Sequence, residues 1–290
     1  MINFQERYDL LRGEAEDFLG GLFSTGAPYG RLQEAMNYSL LAGGKRVRPV
    51  LAMAVCEALD GDRRLALPLG CALELVHTYS LIHDDLPCMD DDDLRRGRPT
   101  CHKVYGETMA VLAGDALQAE AFRLISLAPG LSAQQRVDAV LALARACGAD
   151  GMVAGQVLDM DKLAGDEASA RQLCALKTGA LLRAAAALGA IAAGASAMER
   201  AQAEAFASHV GLAFQVRDDM LDVTADQAEL GKPVGSDRAE GKRTFVDLLG
   251  LGGCGALVAE ETRLAKEAVS AFRHSGFLLA LADSLADRRK

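Results

Sequence analysis

One stretch of the sequence sets a dense group of carboxylates directly beside guanidinium groups. Its charged residues are Asp84, Asp85, Asp90, Asp91, Asp92, Asp93, Arg95, Arg96 and Arg98. Like charges this close repel one another unless a cation lies among them. Mg²⁺ prefers carboxylate oxygens together with substrate phosphates, and arginines suit the remaining phosphate oxygens. A solvated acidic loop is the alternative, but the combination predicts a metal-bridged phosphate or diphosphate site.

A second acidic group lies farther along the chain, in the segment from Phe214 to Asp222. Asp218 and Asp222 are four residues apart, which places them about 40° apart on one face of a helix. Two carboxylates at that spacing can share a cation. Gln215 lies one turn before Asp219 and faces roughly the same way. The sequence therefore predicts two acidic helix ends.

A basic loop precedes the first acidic run, with the sequence GGKRVRP at residues 43–49. Its glycines allow a tight turn, and Pro49 suits the first residue of a helix over 49–59. A helix N-terminus offers free N–H groups and the positive end of the helix dipole. Lys45, Arg46 and Arg48 add full positive charges. The loop predicts an anion-binding cradle, with an ordinary solvated loop as the alternative.

The segments that carry these groups are predicted to be helices. Alanine and leucine dominate, and apolar residues recur at helical spacing almost throughout. Predicted helices cover residues 4–19, 32–41, 49–59, 67–85, 106–125, 133–147, 149–162, 173–193 and 201–222, with two more after residue 256. We therefore expect an all-α protein, built as one large helical domain over residues 1–290.

The predicted helix that leads into the first acidic run is almost uncharged in its second half, as in a buried helix. His77, Ser80 and Asp84 share one face of it, whereas Tyr79 lies about 140° away. Asp84 and Asp90 would lie about 240° apart on an unbroken helix. The proline at position 87 disfavours helix at the preceding residue. We expect the chain to curl there and bring the two carboxylates together.

Two later predicted helices contain polar residues in apolar surroundings. One carries Gln156 and Asp159, to which we assign a structural role in capping or a core hydrogen bond. The next, a single long helix over 173–193, carries Lys177 and Thr178. These two would be costly to bury without partners. We therefore expect Lys177 and Thr178 to point into a cavity.

Composition narrows the classes of function. The net charge is −9 in 290 residues, which argues against broad attraction to nucleic acid or anionic lipid. Seven cysteines without a CxxC pair argue against a disulfide framework or a zinc site, and they indicate a reducing, cytoplasmic location. No signal peptide is evident, and the longest uncharged apolar run, residues 184–198, is too short to span a membrane.

Taken together, these motifs resemble those of the trans-isoprenyl diphosphate synthases, the polyprenyl synthetase family. The likeness runs nearly from end to end. Its motifs are DDxxxxD at 84–90 followed by LRRG, DDxxD at 218–222, GGKRVRP at 43–49, LVHTYSLIHDDLP at 75–87, GMVAGQVLD at 151–159, KTG at 177–179, GKPVGSD at 231–237 and GKRTF at 241–245. Bacterial farnesyl diphosphate synthases are the most similar, because their first motif has the same two extra residues.

The resemblance implies the isoprenoid synthase fold, a helical bundle around a central active-site cavity. It implies a homodimer and a Mg²⁺-dependent reaction in which isopentenyl diphosphate attacks an allylic carbocation. The implied metal ligands are Asp84, Asp90, Asp218 and Asp222. The residues implied for the allylic diphosphate are Arg95, Lys177 and Lys232, and those for isopentenyl diphosphate are Gly44, Lys45, Arg48, His77 and Arg96. Thr178 and Gln215 would turn oxygens towards the carbocation, beside Lys177.

Product length is the finer expectation from the resemblance. In this family the residues just before the first aspartate motif form the floor of the chain pocket. Tyr79 and Ser80 take those positions, and the bulk of Tyr79 implies that elongation stops at farnesyl diphosphate. Alternatives are a geranylgeranyl or geranyl diphosphate synthase of the same mechanism and a catalytically silent subunit of a heteromeric synthase. A metal-dependent phosphohydrolase built on His83 and Asp84 would need a second histidine set that the sequence does not offer.

Overall fold

The computed structural model describes residues 3–24, 26, 28–224 and 243–288. The protein is 75% helical, which confirms the predicted all-α class. The first half contains α1 (Phe4–Gly20), α2 (Gly30–Leu40), α3 (Val47–Ala58), α4 (Arg63–Asp84), β1 (Leu94–Arg95), β2 (Arg98–Pro99), α5 (Cys101–Tyr105) and α6 (Glu107–Ser126). The second half contains α7 (Ala133–Cys147), α8 (Met152–Met160), α9 (Glu167–Lys177), α10 (Gly179–Ala193), α11 (Ala197–Thr224), α12 (Phe245–Ala268) and α13 (Gly276–Ala286).

Helix α4 lies at the centre of the main hydrophobic core, where it packs against α3, α6 and α10. It is long and apolar enough to cross a membrane by length and composition, but 72% of its most apolar window is buried within the protein. That burial is typical of a core helix. A second apolar cluster joins residues of α9, α11 and α12, including Cys174, Val216 and Phe245. The central helix and this second cluster position the two acidic helix ends.

The long helix predicted over residues 173–193 is wrong in one respect. Helices α9 and α10 are separate and meet at Thr178 with a bend of 47°. Threonine and the following Gly179 are weaker helix formers than the alanines and leucines around them. The bend therefore falls at the Lys177–Thr178 pair that was predicted to face a cavity.

Two local features were also not predicted. Helix α3 begins at Val47 rather than at Pro49, because Arg46 adopts a left-handed conformation (φ 52°) and ends the preceding turn. The arginines after the first acidic run form a short antiparallel hairpin, β1–β2. Its two turn residues, Arg96 and Gly97, both have positive φ, as the tightest hairpin turns require.

All seven cysteines lie in described segments and are free thiols, as the sequence predicts. Six of them are buried, and Cys88 is exposed. Burial raises the pKa of the Cys56 and Cys174 thiols to about 12, so these thiols stay protonated. They pack as small apolar side chains.

Candidate active site

The end of α4 brings the first two aspartates together. Helix α4 ends at Asp84, and the chain then turns so that Asp90 N donates to Asp84 O at 2.9 Å. This confirms the curl predicted from the proline at position 87. Burial raises the pKa of Asp84 to about 6; Lys177 opposes that shift, and Asp90 adds to it. The carboxylate therefore lies where a nearby cation would stabilise its charged form.

The β1–β2 hairpin directs two neighbouring arginines to different partners. Arg95 donates from Nε to Asp85 Oδ1 at 2.6 Å and reaches Asp92 at 3.4 Å. Arg96 donates to the carbonyl oxygen of Gly43 in the basic loop. A Cβ atom on Gly44 would lie 2.9–3.0 Å from the Arg96 guanidinium, and the positive φ of Gly44 (132°) favours glycine at this position. The predicted pair Gly44 and Arg96 are thus in contact.

The basic loop and α4 carry further predicted residues beside the hairpin. Burial lowers the pKa of His77 well below its usual value, with Arg48 and Arg96 adding to the effect. The imidazole is therefore neutral at pH 7 and offers a hydrogen bond rather than a charge. Lys45 lies on the same loop, where its carbonyl oxygen accepts a 2.7 Å hydrogen bond from Tyr8 Oη. Burial also lowers the pKa of Lys45, and the charge of Arg288 contributes.

The end of α11 is held by contacts within the protein. Asp219 accepts hydrogen bonds from Gln215 Nε2 at 3.0 Å and from Phe245 N at 2.8 Å, so it fixes the start of α12. Asp218 forms an ion pair with Arg288 near the C-terminus. Asp222 is buried, with 4% of its surface exposed. Of the contacts made by these three aspartates, the sequence predicted only the proximity of Asp219 to Gln215.

The bend at Thr178 joins the two acidic ends. Thr178 Oγ1 donates to Gln215 Oε1 at 3.0 Å, which brings together the two oxygens predicted to face a carbocation. Lys177 Nζ lies 2.6 Å from Asp159 Oδ2. Asp159 is thus a residue of the site that sequence reasoning assigned to structure. The sequence feature that could have indicated this role is the pair of polar residues, Gln156 and Asp159, three positions apart in an apolar helix.

A cavity of about 590 Å³ lies between α4, α8 and the bend at Thr178. Its polar lining includes Arg48, His77, Asp84, Gln156, Lys177 and Thr178. Its apolar lining includes Leu81, Met89, Met152, Val153, Val157 and Met160. A cavity of this size, mostly apolar with a few polar groups, is typical of a small-molecule site. The expectation that Lys177 and Thr178 point into a cavity is confirmed.

Tyr79 and Ser80 also line this cavity. The helical wheel separated Tyr79 from the face of Asp84, but the cavity extends round α4 far enough to reach both. Tyr79 is 7% exposed, and burial raises its pKa to about 12. Ser80 Oγ donates to His77 O at 2.9 Å, which satisfies its hydroxyl within α4. Tyr79 is therefore the bulkier wall residue of the two.

The donor chemistry of these residues fits Mg²⁺. The candidate ligands Asp84, Asp90, Asp218 and Asp222 supply hard carboxylate oxygens from two helix ends. Within the described segments, no three His, Cys, Asp or Glu side chains are grouped closely enough to hold a metal ion. Mg²⁺ commonly takes one or two carboxylates and completes its shell with substrate phosphates and water. Lys232, the remaining predicted diphosphate contact, lies outside the described residues.

A helical bundle that places the acidic end of α4, Arg48 and Lys177 around a largely apolar cavity defines the isoprenoid synthase class of protein. The chain belongs to the polyprenyl synthetase family, whose sequence pattern matches residues 30–266. It is a prenyltransferase of isoprenoid biosynthesis. The resemblance inferred from the motifs is confirmed.

Similar sequences include two plant enzymes. A chloroplastic geranylgeranyl pyrophosphate synthase of Capsicum annuum is 48% identical over 263 residues, which cover 89% of this chain and 71% of that protein. Geranylgeranyl pyrophosphate synthase 3, chloroplastic, of Arabidopsis thaliana is 50% identical over 266 residues, covering 89% and 74%. The predicted cytoplasmic location is wrong on this comparison, because these similar proteins are chloroplastic enzymes. Free, buried thiols do not distinguish one reducing compartment from another.

Solved structures give the same fold at lower identity. An FPP/GFPP synthase from Zymomonas mobilis superimposes with a TM-score of 0.88 at 37% identity, covering 98% of this chain and 99% of that one. A geranylgeranyl pyrophosphate synthetase from Pyrococcus horikoshii gives 0.87 at 28% identity, covering 98% of each chain. The isoprenoid synthase fold is therefore confirmed.

Proposed function

We propose that this protein is a Mg²⁺-dependent geranylgeranyl diphosphate synthase, which adds isopentenyl diphosphate units to an allylic diphosphate. The observation that carries the proposal is a cavity that joins Arg48, Lys177 and Asp84 to an apolar lining. A substrate with a diphosphate head and a hydrocarbon chain matches a cavity that is charged in one part and apolar in the other. The names of the similar plant sequences support the geranylgeranyl product.

The acidic end of α4 and Lys177 would bind the allylic diphosphate. When bound, Mg²⁺ would neutralise this leaving group as its C–O bond breaks. Asp84 and Asp90 are the first ligands we assign, with Asp218 and Asp222 approaching from α11. Lys177 stays close to this position because Asp159 holds its ammonium group at 2.6 Å. Arg95, already paired with Asp85, would donate to a phosphate oxygen of the same diphosphate.

The basic loop and hairpin would bind isopentenyl diphosphate. Positive charge is supplied by Lys45, Arg48 and Arg96. Because Arg96 lies against Gly44, its guanidinium is next to the basic loop. His77 is neutral and would donate a hydrogen bond to a phosphate oxygen. The double bond of this substrate then attacks the allylic cation. A C–C bond forms, and the proton that is lost passes to the released diphosphate.

Thr178 and Gln215 would stabilise the allylic cation. The Thr178 hydroxyl donates a hydrogen bond to Gln215. The lone pairs of the Thr178 oxygen therefore remain available to a positive carbon. Gln215 is itself oriented by its hydrogen bond to Asp219. A dipole that is fixed before the reaction costs no reorganisation when charge develops. We therefore assign stabilisation of the cation to the hydrogen-bonded side chains of Thr178, Gln215 and Asp219.

A farnesyl product is the second candidate, and one observation favours it. The Tyr79 ring lines the cavity and is held against its wall by the surrounding residues. A bulky ring there would stop a growing chain early. One structural relative is described as an FPP/GFPP synthase, so related proteins differ in product. The cavity volume of about 590 Å³ does not favour either length by itself.

A product assay distinguishes the two candidates. The purified protein is incubated with Mg²⁺, isopentenyl diphosphate and dimethylallyl, geranyl or farnesyl diphosphate, and the dephosphorylated products are sized by chromatography. We expect geranylgeraniol as the main product and its loss with a chelator. A main farnesol peak that does not extend when farnesyl diphosphate is supplied would overturn the geranylgeranyl assignment. No condensation with any starter would contradict the enzymatic proposal itself and favour a silent subunit.

We also propose that the protein acts as a homodimer. Helix α6 exposes two large apolar side chains at adjacent positions, Val111 at 39% and Leu112 at 48%. Exposed apolar area of this kind is often covered by a second subunit. Light scattering coupled to size exclusion should give twice the mass of one chain. A monomer at micromolar concentration would contradict the proposal.

A further inference from the structure

His83 lies between the cavity and helix α6. Its ring lines the cavity beside Tyr79, and the two ring centroids are 5.8 Å apart in an edge-to-face arrangement at 71°. Such aromatic pairs stabilise each other beyond the area they bury. His83 Nε2 also donates to Val111 O on α6 at 3.2 Å. One side chain thus contacts both the cavity wall and a neighbouring helix.

Gly114 on α6 leaves the space that the His83 ring occupies. A Cβ atom at Gly114 would lie 2.1 Å from His83 Nε2, 2.6 Å from Cδ2 and 2.7 Å from Cε1. All three distances are far inside van der Waals contact. Any other residue at position 114 would therefore displace the ring and break its hydrogen bond to Val111. The backbone of α6 fixes where His83 can lie.

We propose that His83 is a positioning residue that determines product length by holding Tyr79 against the cavity wall. The proposal rests on the proposed prenyl-elongating function. Helix α6 fixes His83 through Gly114 and Val111, and His83 supports the Tyr79 ring. Tyr79 then limits how far the hydrocarbon chain can extend. Product length is in this way set partly by a helix that does not line the cavity.

The test compares the product profiles of the full-length wild type, His83→Ala, Tyr79→Ala and the double variant. The readout is the ratio of the longest product to the next shorter one. Loss of one edge-to-face support should raise this ratio in His83→Ala by about 2- to 10-fold. If His83 acts through Tyr79, the double variant should match Tyr79→Ala. Two independent effects that multiply in the double variant would overturn the inference.

A second pair of variants guards against a folding or metal-binding defect next to Asp84. Gly114→Ala should alter the product ratio because it displaces His83, and in a His83→Ala background, where the space is free, Gly114→Ala should cause no further change. Gly13→Ala is the matched control, because Gly13 also lies in a helix and a Cβ there meets nothing within 4 Å. Its profile should equal that of the wild type. A Gly114→Ala profile like that of Gly13→Ala would contradict the role of α6.

The outcomes separate this inference from the function on which it rests. A wild type that condenses, together with a His83→Ala profile equal to the wild-type profile, overturns the inference alone. A wild type that makes no prenyl product overturns the proposed function and the inference with it. The dependence of the rate on Mg²⁺ should be similar in His83→Ala and in the wild type. A shift in that dependence without a change of product length would mean that His83 supports Asp84 instead of Tyr79.

Discussion

The two acidic helix ends look alike in the sequence but differ in the structure. At the end of α4, burial raises the pKa of Asp84 to about 6, so its negative charge is poorly compensated. At the end of α11, Asp219 accepts two hydrogen bonds, and Asp218 is paired with Arg288. Both ends have internal partners, since Asp85 at the first end is paired with Arg95, but the first end also contains a carboxylate whose charged form is disfavoured by burial. Two aspartate-rich motifs in one chain therefore do not have equivalent surroundings.

The largest effect should follow from neutralising the first end. Asp84→Asn should lower kcat by about 10³-fold, because metal stabilisation of the leaving group is worth several kcal/mol. Steady-state assays at saturating Mg²⁺ measure this change. Asp91→Asn is the matched control, since Asp91 is exposed in the same run and we assign it no role. Equal losses in both variants would mean that only the total charge of the run matters.

Substitutions at the second acidic end should lower the free energy of unfolding, and Asp219 should matter more than Asp218. Asp219→Ala removes the acceptor for Phe245 N at the start of α12, and we expect the free energy of unfolding to fall by about 1–3 kcal/mol. Asp218→Ala breaks a partly exposed ion pair, which is worth about 1 kcal/mol or less. Urea unfolding followed by circular dichroism compares the two. Similar losses would contradict a structural role specific to Asp219.

A smaller effect should come from the pair between Asp218 and Arg288. Arg288 also lies over the Phe214 ring at 4.1 Å, so the pair holds the C-terminal segment to α11. A metal that binds Asp218 competes with this arginine. Arg288→Ala should therefore raise the apparent Mg²⁺ affinity in the presence of inorganic diphosphate by about 2- to 5-fold. Calorimetric titration measures it, and Arg273→Ala, which breaks a remote pair with Asp60, should leave it unchanged.

The smallest expected effect is the release of protons from the first acidic end when Mg²⁺ binds. The folded pKa of Asp84, about 6, lies above its unfolded value of 3.8. Without metal, protonation of this group therefore stabilises the fold as the pH falls from 7 to 5. Mg²⁺ requires the charged form, so binding at pH 6 should release about half a proton from Asp84. Titrations in two buffers of different ionisation heat measure the release, and identical observed heats in the two buffers would rule it out.

Much of this architecture could be predicted because it depends on local pattern. Apolar spacing located most helices, and the proline at position 87 indicated the curl that brings Asp90 to Asp84. The bend at Thr178 was missed because an apolar, alanine-rich run reads as one helix. Asp159 was missed because its partner Lys177 is 18 residues away in the chain. The capping role of Asp219 depends on Phe245, 26 residues away, and no local pattern reports such a contact.

The β1–β2 hairpin limits how this region can vary during evolution. Arg95 ends strand β1 and points to Asp85, whereas the next residue, Arg96, lies in the turn with positive φ and reaches Gly43. One hairpin thus contacts both the acidic run and the basic loop. Inserting or deleting one residue between Asp93 and Thr100 would change the two-residue turn or the pairing register, so that Arg95 and Arg96 could no longer reach Asp85 and Gly43 together. Homologous chains should therefore tolerate substitutions in this hairpin far more readily than changes in its length.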